Sequence, residues 1–295
     1  MQLDLFLDSR AVVLANKAIR AIAERDGARA RHYVSGLCAE AADYPTLRPL
    51  EILARALVEW RCPARDVTSI VSAVAWLEDV IVPAARDAFG TRANDVLAPF
   101  FRDLAETSRG LPYEPSRAKA HRAWLSSRCG DWEQAEDAAL AIPGATGIAD
   151  ALHWLTVARY RRRGLAAARP TLFALAWRDP PRLAALIDDL QDEALERDFG
   201  RFNGACEWTN TGAAELGAWF PAWYALEHPA AAGDYDVGEA TVAAPARAAC
   251  LVAGILELER QADWKQLVAL REQFRLLSVD LFSLYMARRE ASHWR

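Results

Sequence analysis

The chain has 295 residues, of which 53% are apolar and 25% charged, and a net charge of −5. That is enough to bury a large core. It gives no domain-sized basic excess, which argues against nucleic acid and membrane surfaces as partners. The five cysteines, at 38, 62, 129, 206 and 250, are odd in number and form no CxxC. They read as reduced cytosolic thiols and not as a disulfide framework or a zinc site.

Lysine occurs only at 17, 119 and 265, so almost all positive charge is arginine, as a GC-rich bacterial coding sequence would give. The N-terminus, Met1 to Asp8, carries acids where a signal peptide needs basic residues and a long apolar run. A cytoplasmic location is the expectation.

In chain order, Asp8-Ser9 reads as a cap for a helix running to about Arg25, with Val12, Ala15, Ile19 and Ile22 on one stripe. Asp26-Gly27 turns the chain into a second helix bearing Ala30, Val34, Leu37 and Ala41. The pair makes a helical hairpin. Thr46 opens a helix to about Trp60, and Cys62-Pro63 ends it. Asp66 caps a longer one, in which Val67, Ile70, Val74, Leu77 and Ile81 form a packing seam. Pro83 should kink or restart that helix, because proline removes one helical bond and clashes with the preceding turn. The segment Val67–Ala85 is the most membrane-like stretch. Glu78 and Asp79 lie inside it, at a cost of roughly 2.5–3.5 kcal/mol each in a bilayer centre, so a core helix is expected. Another helix covers about Ala93 to Thr107, and Gly110 to Pro115 is a linker.

Ser116 is expected to cap a helix through Arg128. After the Gly130-Asp131 turn a short helix follows from Trp132 to Ile142, stopped by Pro143-Gly144. Ile148 to Arg163 and Ala166 to Trp177 form the next hairpin around Gly164. Leu183 to about Asp198 reads as one further helix, on which Asp188, Asp192 and Glu196 stack at i, i+4, i+8. That acidic row suggests a docking face for a basic peptide or a cation site or, more simply, a solvated face or one paired with Arg159, Arg161, Arg162 and Arg163. From Gly200 to Asp236 helical periodicity is lost. The segment holds five glycines, two prolines and a concentration of Trp, Phe and Tyr. Long irregular segments of this kind are often functional. Helices resume over about Val237–Gln261, Trp264–Leu277 and Val279 to the end.

Four hairpin turns look alike, around Asp26, Gly130, Gly164 and Asp263, and the two central glycines are 34 residues apart. In the unit ending at Pro181, Tyr160, Gly164, Phe173, Ala176 and Pro181 fall in register with the tetratricopeptide repeat. The chain resembles a degenerate member of that family of 34-residue helical hairpins. The resemblance implies a concave surface that binds a partner protein or peptide, and it brings no catalytic residues with it.

The sequence thus predicts an all-α fold of stacked antiparallel hairpins, about a dozen helices, with an irregular aromatic-rich insertion. The expected regions are 1–110, 116–199, 200–236 and 237–295, packed as one continuous unit. The leading functional expectation is a protein-interaction module that binds a peptide or helix in a groove near Trp124, Trp154 and Tyr160, bounded by residues 200–236. Trp208, Asn210, Trp219 and Trp223 complete the candidate binding residues. The alternative is an enzyme or small-molecule binder that uses Glu207, Asn210 and Glu215 beside Trp208 and Trp219. A self-associating structural subunit is a third. No GxSxG, Walker A, GxGxxG or HExxH occurs, and the five histidines form no local metal spacing. No cofactor or metal is expected.

Overall fold

A computed structural model describes residues 10–205, 215–233, 243–261 and 264–293. Among them there is no strand, and the fold is all-α. The chain divides into two compact units, Met1–Ala138 and Ala139–Arg295, each with a hydrophobic core of its own. The 110–115 linker lies inside the first unit.

Unit 1 begins with the hairpin α1 (Arg10–Ala23) and α2 (Gly27–Glu40). Asp26 joins them and accepts a bond from the Arg29 amide at 2.9 Å, as its position in sequence predicts. The expected Asp8-Ser9 cap lies outside the described residues. Next come α3 (Leu47–Glu59) and α4 (Val67–Trp76). Asp66 caps α4 through the Ser69 amide at 2.8 Å. Ile70, Val74, Leu77 and Ile81 are buried, so the predicted seam forms.

Pro83 acts in an unforeseen way. The chain does not kink but widens into a π-helical turn, Leu77–Ile81, where the Val82 amide reaches back to the Leu77 carbonyl. The wider turn gives the proline ring room without breaking the seam. Then follow α5 (Val82–Phe89) and α6 (Ala93–Thr107). The stretch Val67–Thr107 is long and apolar enough to cross a membrane by length and composition. The π turn and a 3₁₀ turn at Gly90–Arg92 interrupt it, and its seam lies in the core of unit 1.

The helix expected from Ser116 to Arg128 is shorter. Residues Pro115–Ala120 form a 3₁₀ segment with a non-helical Arg117, and α7 (Arg122–Arg128) starts only after His121. After the turn at Gly130, which has φ of 77°, comes α8 (Trp132–Leu140).

In unit 2, α9 (Ala149–Arg163) and α10 (Leu165–Arg178) pack as an antiparallel hairpin around Gly164. The helix expected over residues 183–198 is two helices, α11 (Pro181–Leu190) and α12 (Glu193–Asn203). Gln191 takes a left-handed conformation, and the Asp192 side chain accepts the Ala194 and Leu195 amides, both at 3.0 Å. The cap competes with helix continuation and wins. Asp188, Asp192 and Glu196 therefore do not form a row on one helix.

The described part of the aromatic segment is also helical. A 3₁₀ turn, Leu216–Trp219, leads into α13 (Phe220–Glu227), whose Pro221 sits at the helix start where a proline is harmless. Phe220 through Leu226 are all buried. The chain ends with α14 (Ala244–Gln261), α15 (Trp264–Leu277) and α16 (Val279–His293).

Candidate functional site

Helix α3 stands between two open troughs in unit 1. Leu50, Leu53 and Ala56 point into the core. On one side of the ridge lies an open trough of about 240 Å³, lined by Ile52, Trp76, Val80 and Ile81 with Arg48. On the other lies a trough of about 350 Å³ against α2, lined by Arg31, Val34, Ser35, Cys38 and Val58. Glu51, Arg55 and Glu59 border both. They recur every four residues, so they stand in one row along the crest.

The wall of the first trough is firmly held. Trp76 stacks on Trp60 with ring centroids 5.9 Å apart. Trp60 meets Phe100 edge to face at 5.1 Å and donates its indole N–H to Asp103 at 2.9 Å. Val80, from the π turn, forms the opposite lip and is 38% exposed.

Some charged side chains of unit 1 pair, as in Arg10–Glu40, Arg29–Glu24, Arg109–Glu106 and Lys119–Glu78. Arg31, Arg48, Glu51, Arg55 and Glu59 make no ion pair or side-chain hydrogen bond among the described residues. Charges of both signs thus line two troughs of mixed polar and apolar character.

The residues singled out from sequence go elsewhere. Trp124 is half-buried in unit 1, edge-on to Phe101 at 5.8 Å, with the Arg128 guanidinium over its ring. Trp154 is buried in α9, at 5% exposure. Tyr160 donates to Asp192 at 3.1 Å, and burial together with that carboxylate raises its pKa. Trp223 is buried beneath Arg201, and Trp219 is partly buried against the core of unit 2. Trp154 and Trp223 are thus packing residues in this conformation. Glu207, Trp208 and Asn210 lie outside the described residues, and Glu215 is exposed.

Within unit 2 the structure does assemble a polar cluster that the sequence did not suggest. His228 Nε2 lies 2.7 Å from Asp198 Oδ2, and its ring lies 4.3 Å from that of Tyr224. Arg201 contacts Asp198 at 3.3 Å and also binds Glu227. Arg288 holds Glu227 at 3.1 Å and also donates to the Leu226 carbonyl. Burial raises the Tyr224 pKa. Asp198 is thus met by His228 and Arg201, and Glu227 by Arg201 and Arg288, an arrangement that ties α12, α13 and α16 together. His228 follows the end of α13 and Asp198 reads as one acid of a charged helix, so no local motif announces the pair.

His153 sits 3.5 Å from Asp189, and burial lowers its pKa. Among the described residues, no group of three His, Cys, Asp or Glu side chains could hold a metal ion. The described cysteines, 38, 62, 129 and 250, are free thiols. No protein-family model matches the chain, and neither a curated protein nor a solved structure shows significant similarity to it.

Proposed function

We propose that this chain is a protein-interaction scaffold that docks a partner peptide or helix along the α3 ridge. The scaffold is read as a degenerate, tetratricopeptide-like array, with α9–α10 as its most regular hairpin, working in the cytoplasm. The observation that carries the reading is the row of unpaired charges of both signs between two open troughs of mixed polar and apolar lining. A small-molecule site is a concave pocket that encloses most of its ligand and has few polar groups. Shallow troughs rimmed by charge suit a longer ligand laid across them. An amphipathic helix would place apolar anchors at i, i+3 and i+4 against Ile52, Trp76 and Val80. Its flanking charges would meet Arg48, Glu51, Arg55 and Glu59. This reading moves the groove from the neighbourhood of Trp124, Trp154 and Tyr160 to α3.

The test is a displayed random-peptide library selected on the full-length chain. Enriched peptides should carry apolar residues at helical spacing with flanking charge. They should bind at least ~10-fold more weakly to Val80→Glu and to Arg55→Glu, a loss of about 1.4 kcal/mol. Both positions are exposed, so circular dichroism should report an unchanged fold. Failure to enrich any peptide, or binding that ignores both substitutions, overturns the proposal.

A further inference from the structure

Helix α3 carries its terminal charges in the reverse of the order that favours a helix. Aligned peptide dipoles leave the N-terminus partly positive and the C-terminus partly negative, so acids suit the first turn and bases the last. In α3, Arg48 is the second residue and Glu59 the last. Both are exposed. Arg61, just beyond the helix, donates to the Val58 and Trp60 carbonyls at 3.0 and 2.7 Å, and it makes no ion pair with Glu59.

Helix α2 has the same inverted order, and there the charges are compensated. Arg29 in its first turn lies 3.2 Å from Glu24 and 3.8 Å from Asp26, and Glu40 at its end lies 3.4 Å from Arg10. Arg48 and Glu59 make no ion pair among the described residues. Glu51 and Arg55 are one turn apart in the order that favours pairing within a helix, and they make none either. A local rule broken without compensation inside the fold is the departure expected at a functional surface.

Arg48, Glu51, Arg55 and Glu59 all belong to this one helix and read plus, minus, plus, minus along it. The row is roughly 16 Å long at ~1.5 Å per residue, and at ~100° per residue it falls within an arc of roughly 80°. The alternation therefore lies on one face in space. Trp76 lines the first trough toward the Glu59 end, since it stacks on Trp60, the residue after Glu59. A cation brought to Glu59 would also meet an aromatic ring.

We infer, resting on the α3 ridge as the docking site, that its occupant is a helix running parallel to α3 with the facing charges in the order Glu-x-x-Lys-x-x-x-Glu-x-x-x-Lys. Charge complementarity sets the alternation, and the occupant's own stability sets the direction. In the parallel arrangement its first turn carries an acid and its last turn a base, as its dipole favours. Two of its three neighbouring charge pairs then place Glu before Lys, the better order. An antiparallel occupant would need the reverse sequence, with one such pair and with both ends set against its dipole. A peptide already inclined to helix loses less freedom on docking.

Two synthetic peptides of equal composition and with the same apolar stripe test this, one with the charge order above and one with its reverse. Titrated into the full chain at low salt, the first should bind at least ~3-fold more tightly, the size expected of exposed charge pairs. Changing its first Glu to Lys should weaken binding by a similar factor, and Arg48→Glu should restore it. Changing its last Lys to Glu should also weaken binding, and Glu59→Lys should restore it. Both substitutions on the chain are at exposed positions and relieve the misplaced charge, so circular dichroism should show a folded protein with an unchanged or raised melting temperature. A reversed peptide that binds more tightly overturns the direction. Equal binding of the two peptides, no binding of either, or no rescue by the matched substitutions overturns the charge order. Peptide binding that also ignores Val80→Glu removes the ridge itself, a separate failure.

Discussion

The start of α7 rests on an imidazole. His121 Nδ1 accepts the Ala123 amide at 3.3 Å, and its ring meets Tyr113 edge-on at 5.8 Å. Burial pushes its pKa down to about 4. An unfolded histidine titrates near ~6.5. Between those values the unfolded chain holds a proton that the folded chain does not, so stability is complete above ~6.5 and is lost as pH falls toward 4. A protonated Nδ1 can no longer accept, so the cap fails in the same window. The loss should reach ~3 kcal/mol at the acid end. His121→Asn keeps an acceptor and removes the titration. Urea unfolding at pH 7 and pH 4.5 should give a clearly smaller acid loss for that variant than for the native chain, and equal losses would refute the account. The same scale shows what single residues reveal in advance. Asp26 and Asp66 were legible as caps because a short carboxylate followed by apolar periodicity has one obvious use. His121 was not, since imidazole is an unusual cap whose use here depends on the 3₁₀ segment before it. Gly217 read as loop punctuation, yet a Cβ there would come within 2.9 Å of the Pro180 carbonyl. Its role is close approach between two elements, which no local pattern records.

Helices were legible as elements wherever one face was apolar at regular spacing, and their failures have a shared cause. Periodicity reports the phase of side chains and not the fate of backbone bonds. The seam through Leu77 and Ile81 therefore hid a π turn, and the apolar series from Leu183 to Leu195 hid the break at Gln191 and Asp192. In α13 the apolar residues surround the helix, so no stripe was visible and Pro221 looked like a breaker. The burial of Phe220 through Leu226 in the core holds α13, and the Asp198–His228 contact and the arginines around Glu227 add to it. Asp198 is well buried, so the contact should contribute more than an exposed pair, for which up to ~1 kcal/mol is usual. A double-mutant cycle on Asp198→Asn and His228→Ala should give a coupling above about 1 kcal/mol at pH 7. Additive effects would mean that the two side chains merely sit near each other. The α3 ridge was missed for a simpler reason. Glu51, Arg55 and Glu59 look like a helix face that pairs with itself, and only the packing around them shows two troughs and no partners.

At the scale of the whole molecule, the 34-residue spacing that drew attention to Gly130 and Gly164 spans the boundary between the two compact units. The two turns fall in different units, and the division runs through α8. Two separate apolar clusters follow from this, one built from α1 to α7 and the other from α9 to α16. Unit 1 has Phe100, Phe101, Ile22, Leu37, Leu50 and Leu53 almost wholly withdrawn from water, which is the interior of a domain able to stand alone. A fragment of residues 1–142, ending after α8 and before Pro143, should therefore fold by itself. At that size a single cooperative transition is the expected behaviour, with the helical signal and the Trp60–Trp76 environment lost together on heating. The proposed peptide site lies wholly within this fragment. Peptides selected on the full chain should thus bind the fragment with unchanged affinity. A fragment that melts without cooperativity would show that the cluster around Phe100 and Phe101 needs the second unit to form. A folded fragment that no longer binds those peptides would remove the α3 ridge as their site.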